Sequence, residues 1–124
     1  MEYLYACVTL LRRWLYDKGW LSHYEPSLMT ISVGGLEAGG SGKTPVTAFL
    51  LKKLMANSRY PGLLSRGYGR KSKGLFVRMP GDEVRPEQMG DEPAMLVTNG
   101  LDLPVAVCAK RSVGAMALTN NGVD

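Results

Sequence analysis

Three short segments carry residue types suited to moving a phosphate. Gly39-Gly40-Ser41-Gly42-Lys43-Thr44 offers glycine backbone that can approach an anion closely, a lysine, and a hydroxyl that suits Mg²⁺. Ser65-Arg66-Gly67-Tyr68-Gly69-Arg70-Lys71 offers cations that could hold an anionic acceptor, with Arg66 able to grip it through two parallel N–H bonds. Gly90-Asp91-Glu92-Pro93 offers paired carboxylates, one of which could take a proton from an attacking hydroxyl. Each also has a plainer reading: a flexible glycine turn, a solvated basic turn, and acids that cap a helix with Pro93 in its first turn. Arg111, at a later junction, could neutralise an acceptor phosphate or be an ordinary surface arginine. His23 is the only histidine and lies outside these loops, so no His-based triad is available.

The phosphate-loop pattern GxxxxGK[ST] fits at Gly42, Lys43 and Thr44, but its first position falls on Glu37. The related KGGxGKT pattern would need a lysine where Ala38 stands. Context supports phosphate binding all the same. The apolar run 28–34 predicts a strand, and Pro45 in a helix over 44–56 is tolerated because a first-turn N–H needs no partner. A strand, a glycine loop and a helix N-terminus in that order present N–H groups to phosphate. Gly39 to Thr44 thus form a candidate loop for a nucleoside triphosphate, with Lys43 on the β/γ-phosphates and Thr44 on Mg²⁺.

The rest of the chain must position these loops. Further strands are expected at 61–65, 74–78 and 104–108, with helices at 93–98 and 112–119 and a turn-rich stretch over 80–90. In the 44–56 helix, Val46, Phe49, Leu50 and Leu54 are expected to face the core. This alternation predicts an α/β fold: a P-loop NTPase-like parallel sheet with flanking helices, incomplete at its C-terminus. In such a sheet, ligands bind beyond the carboxyl ends of the strands.

Residues 2–16 place Leu4, Cys7, Val8, Leu11, Trp14 and Leu15 at helical spacing. This amphipathic helix is interrupted by Arg12 and Arg13, too early to span a bilayer, and no signal-peptide cleavage pattern follows. Trp14, Tyr16, Trp20 and Tyr24, with Arg12, Arg13 and Lys18, suit a membrane–water interface, and equally a helix packed on its own domain. The expected division is an amphipathic membrane-associating segment at 1–25 and a partial kinase domain at 26–124.

At 124 residues and net charge +4, the chain is at most one small domain whose partners lean anionic. No nucleic-acid-binding motif accompanies that charge. Cys7 and Cys108 are far apart and outside CxxC spacing, which argues for inert packing in a reducing compartment rather than a disulfide or zinc site.

Together, Val33-Gly34-Gly35-Leu36, the loop through Pro45, Leu64 to Gly69, Gly90 to Pro93, and Pro104-Val105 running to Lys110-Arg111 resemble tetraacyldisaccharide 4′-kinase, the lipid A kinase of Gram-negative bacteria. The resemblance covers most of residues 14–124, and its family also lacks glycine at the position of Glu37. It implies ATP- and Mg²⁺-dependent phosphorylation of the 4′-hydroxyl of a lipid A disaccharide precursor at the anionic cytoplasmic face of the inner membrane. It implies Glu37 to Thr44 as the ATP loop, Asp91 as general base, Glu92 and Thr44 as metal-linked groups, Lys43 as a catalytic cation, and Arg66, Tyr68 and Arg111 on the acceptor side. Gly35 departs from the family's usual asparagine. The family's Asp-Asp-Gly-Leu-Gln segment, its second lobe and the histidine partner of its base have no counterpart here. The expectation is therefore an N-terminal portion with little kinase activity of its own. The sequence sets no oligomeric state. Two other classes fit the loops alone: a P-loop ATPase or GTPase unrelated to lipid, and a non-enzymatic nucleotide- or anion-binding module.

Overall fold

The computed structural model describes residues 1–34 and 42–124. Helix α1 (Glu2–Asp17) stands at the N-terminus, followed by α2 (Lys43–Ala56), β1 (Leu63–Ser65), β2 (Phe76–Arg78), α3 (Pro86–Met89), α4 (Asp91–Thr98), β3 (Val105–Val107) and α5 (Arg111–Asn120). The strands form one sheet of order β1-β3-β2. Strand β3 is buried on both faces, as a central strand must be.

The sheet is mixed, which corrects the expected all-parallel one. β1 runs parallel to β3, with Ser65 opposite Val107, whereas β2 runs antiparallel, with Phe76 opposite Val107 and Arg78 opposite Val105. The link from β1 to β2 is a short loop without a helix, and a parallel return needs a longer crossover. That loop therefore leaves and re-enters the sheet at the carboxyl ends of β1 and β3.

The strand expected at 28–34 does not form; the segment pairs with neither sheet edge, and Met29 and Ile31 are exposed. An apolar run becomes a strand only when another strand takes up its backbone hydrogen bonds. The turn-rich stretch contains the short α3, and α4 starts at Asp91, two residues earlier than expected.

The core joins Leu51, Met89, Ala94, Leu96, Val97, Leu101, Leu103, Val105 and Val107. Helix α4 supplies Ala94, Leu96 and Val97 to it and ends in a turn where Gly100, at φ +99°, donates to the Val97 carbonyl. Helix α2 meets this core through Leu51 and Ala48. Val46 and Phe49 are 50% and 64% exposed, which corrects their expected core placement. Apolar residues are spread around α2, and the face with small Ala48 is the one that comes close to α4. Gly114 lets α5 lie on the sheet, since a Cβ there would sit 2.4 Å from Leu64 Cδ1.

Helix α1 buries none of its residues. It ends where Gly19, at φ +72°, turns the chain so that Trp20 N–H donates to the Leu15 carbonyl, and the Trp14 and Trp20 rings lie 5.9 Å apart. Among the described residues no helix is long and apolar enough to cross a membrane. Cys108 is buried as expected of a packing thiol, whereas Cys7 is exposed on α1.

Candidate active site

The glycine-loop end and the acidic turn meet through one side-chain bond. Thr44, in the first turn of α2, donates its hydroxyl to Oε1 of Glu92, in the first turn of α4, at 2.5 Å across 48 residues of sequence. Gly42, at φ +74°, caps α2 in the left-handed region, and Lys43 is the first helical residue. Of the candidate ATP loop, Gly42, Lys43 and Thr44 are placed; Glu37, Ala38, Gly39, Gly40 and Ser41 lie outside the described residues.

The acids of α4 do not cap their helix. Its cap position is Gly90, which has no side chain, and no side-chain cap bond forms there. Glu92 is instead committed to Thr44, while Asp91 is exposed. The plain capping reading of these carboxylates is thereby set aside.

The basic loop arrives from the sheet. Arg66 follows β1 directly, and Cys108 N–H donates to the Ser65 carbonyl at 3.0 Å, binding the two strand ends together. Gly67 is buried at φ +73°, and a Cβ there would lie 2.2 Å from Val107 Cγ1. A Cβ on Gly90 would lie 3.2 Å from both Gly67 Cα and the Tyr68 carbonyl oxygen. The turn that presents Asp91 and the loop that presents Arg66 and Tyr68 are thus in backbone contact. Tyr68 is 95% exposed. Arg111 opens α5 beyond the end of β3, at the same sheet edge as Arg66.

Among the described residues, no ion pair engages Lys43, Arg66, Asp91 or Arg111. No group of three or more His, Cys, Asp or Glu gathers there for a metal. The donor pair Thr44 and Glu92 nonetheless suits Mg²⁺, which takes hard oxygen ligands, keeps several waters, and needs few protein groups beside substrate phosphates. A shallow cleft between α2 and α4, lined by Thr44, Ala48, Lys52, Met95 and Leu101, runs beside this pair.

Two features escaped the sequence reading. One is the Gly67–Gly90 contact, for which glycine content alone gives no partner. The other is Arg78, only 4% exposed, which donates to Asp102 at 2.7 Å and to the carbonyls of Asp82 and Leu103. Gly81 N–H also donates to Asp102. The Arg78 bond, and next that of Gly81, hold the Asp102 carboxyl below the usual carboxylate range. Because β2 is antiparallel, this clamp closes the sheet at the end opposite the candidate site.

Known proteins share this sequence and fold. The family model described as tetraacyldisaccharide-1-P 4′-kinase matches residues 1–124. The tetraacyldisaccharide 4′-kinase of Cytophaga hutchinsonii is 42% identical over 116 residues, which is 93% of this chain and 32% of that protein. The enzyme of the same name from Alkalilimnicola ehrlichii is 40% identical over 98% of this chain and 36% of its own length. A crystal structure of LpxK from Aquifex aeolicus, an "apo" form in complex with ATP, superposes with a TM-score of 0.80 at 34% identity. It is covered over 38% of its length by 98% of this chain. The chain thus spans about a third of the length of these relatives. A match that extends from Met1 to Asp124 means that this chain belongs to the tetraacyldisaccharide-1-P 4′-kinase family.

Proposed function

We propose that this chain forms the ATP-holding and acid-bearing part of a kinase that phosphorylates the 4′-hydroxyl of a lipid A disaccharide precursor. The Thr44–Glu92 bond carries the reading, because it joins a phosphate-loop helix to a turn bearing a second carboxylate. Family membership and the ATP complex of the Aquifex aeolicus structure support ATP as the donor.

In this reading the loop from Glu37 to Thr44 cradles the phosphates, and Lys43 places a positive charge on the β/γ-phosphates. Thr44 and Glu92 would hold Mg²⁺, which supplies charge neutralisation to the triphosphate. Asp91 accepts the proton of the acceptor hydroxyl as its oxygen bonds to the γ-phosphorus and the bond from that phosphorus to the ADP oxygen breaks. Arg66, Tyr68 and Arg111 orient the acceptor, the two arginines on its anionic phosphate.

The segment 1–25 would lie at the anionic cytoplasmic face of the inner membrane, where a lipid acceptor resides. Support comes from the exposed Tyr3, Leu4, Val8, Trp14 and Trp20 beside Arg12 and Arg13. Residues 26–124 form the kinase portion.

Binding experiments on the full chain test this division of labour. Tetraacyldisaccharide 1-phosphate in mixed micelles should bind more weakly to Arg66→Ala and Arg111→Ala, with ATP affinity retained, and Lys43→Ala should do the reverse. Nucleotide binding that is lost only in Lys43→Ala, with no acceptor binding by the parent chain or any variant, would favour a P-loop ATPase or GTPase unrelated to lipid.

A further inference from the structure

The loop between β1 and β2 is fastened to α3 by bonds that the proposed chemistry does not use. Lys71 and Ser72 N–H both donate to the Glu87 carbonyl, at 2.8 and 3.3 Å. The Ser72 hydroxyl donates to the Gln88 carbonyl at 3.1 Å. These carbonyls belong to the last turn of α3, where helical geometry leaves oxygens without partners. Only Met89 separates them from Gly90 and Asp91.

The same loop is also held internally. Arg70 N–H donates to the Gly67 carbonyl at 3.1 Å, and Arg70 Nη2 donates to the Gly74 carbonyl at 2.5 Å. The Arg70 stem lies under Gly67, where an added Cβ would be 2.7 Å from Cδ. The loop is therefore braced at two points, bonded to α3 at Ser72 and abutting Gly90 at Gly67. Through this bracing, a shift at Ser72 would be passed to the Gly67–Gly90 contact, and so to the spacing between Arg66 and Asp91.

We propose that Ser72 is a positioning residue: its hydroxyl on the Gln88 carbonyl fixes the Arg66–Tyr68 loop against the turn that presents Asp91, and thereby sets acceptor affinity. The consequence for the acceptor rests on the kinase reading above; the mechanical coupling does not. Half-buried Ser72 has no other role in that reading.

The test compares the parent chain with Ser72→Ala and Ser72→Thr by NMR and by binding. In Ser72→Ala the Lys71 amide should exchange about three- to tenfold faster, as expected for loss of one side-chain hydrogen bond. The Gly90 and Asp91 amide resonances should move, and tetraacyldisaccharide 1-phosphate should bind several-fold more weakly with ATP affinity unchanged. Ser72→Thr, which keeps the hydroxyl, should restore all of these. Unmoved Gly90 and Asp91 resonances in Ser72→Ala would overturn the proposal. So would an unchanged acceptor affinity in Ser72→Ala when Arg66→Ala weakens it. If Arg66→Ala leaves acceptor affinity untouched while Ser72→Ala still shifts Gly90 and Asp91, the acceptor reading fails and positioning by Ser72 stands.

Discussion

The Thr44 hydroxyl donates to the Glu92 carboxylate, tying the first turn of α2 to the first turn of α4. Neither residue is buried, so the bond is held by the packing of the two helices rather than by exclusion of water. Glu92→Gln removes the charge and keeps an acceptor oxygen. It should weaken Mg²⁺-dependent ATP binding about tenfold while changing Tm little, a magnitude set by one charge-assisted contact. Thr44→Ser should bind ATP as the parent does, and Thr44→Val should not. Titration calorimetry with and without Mg²⁺ makes the comparison.

Two glycines of one loop separate backbone strain from crowding. Gly67 and Gly69 have φ +73° and +79°, but a Cβ would collide only at Gly67. Gly69→Ala should cost about 1 kcal/mol from its left-handed backbone alone. Gly67→Ala should cost roughly 2–4 kcal/mol, because Val107 and Arg70 must also move. Chemical denaturation reads the difference, and equal losses would mean that the loop shifts freely away from β3.

The three chemical segments were legible in the sequence because glycine, lysine, arginine and paired acids are informative types at short spacing. Their convergence was not. Thr44 and Glu92 are separated by 48 residues, and only the α2–α4 packing brings them into contact. Periodicity marks the apolar residues of α2 but does not choose among faces, so Val46 and Phe49, expected inward, stand outward. The strand expected at 28–34 failed for a similar reason: apolar content is local, whereas a ladder needs a partner edge. Arg78 gave no signal, since a basic residue ending a strand is ordinary until Asp102 and two carbonyls surround it.

Stability should respond to acid through Asp102. Its carboxyl is held low by Arg78 and by Gly81 N–H. A carboxyl that is lower in the folded than in the unfolded protein adds stability above its unfolded value, about 3.9, and loses it as pH falls through the folded value. Asp102→Asn should therefore have a lower Tm than the parent at pH 6, and the two should converge as the pH drops below about 4. Thermal melts across that range give the profile.

Membrane contact should depend on the apolar stripe of α1. Leu11→Glu with Trp14→Glu should abolish co-sedimentation with phosphatidylglycerol-containing vesicles, since each replaces exposed apolar surface by a charge repelled from an anionic bilayer. Far-UV circular dichroism should show the folded domain retained, as α1 buries no residue.

If Lys43, Thr44 and Glu92 make a donor site for a nucleoside triphosphate, titration of ATP into the chain with Mg²⁺ present reads it out. Saturable binding that falls by about ten- to a hundredfold in Lys43→Ala, with the fold intact by circular dichroism, is the expected result. Equal affinity in the parent chain and Lys43→Ala would contradict it.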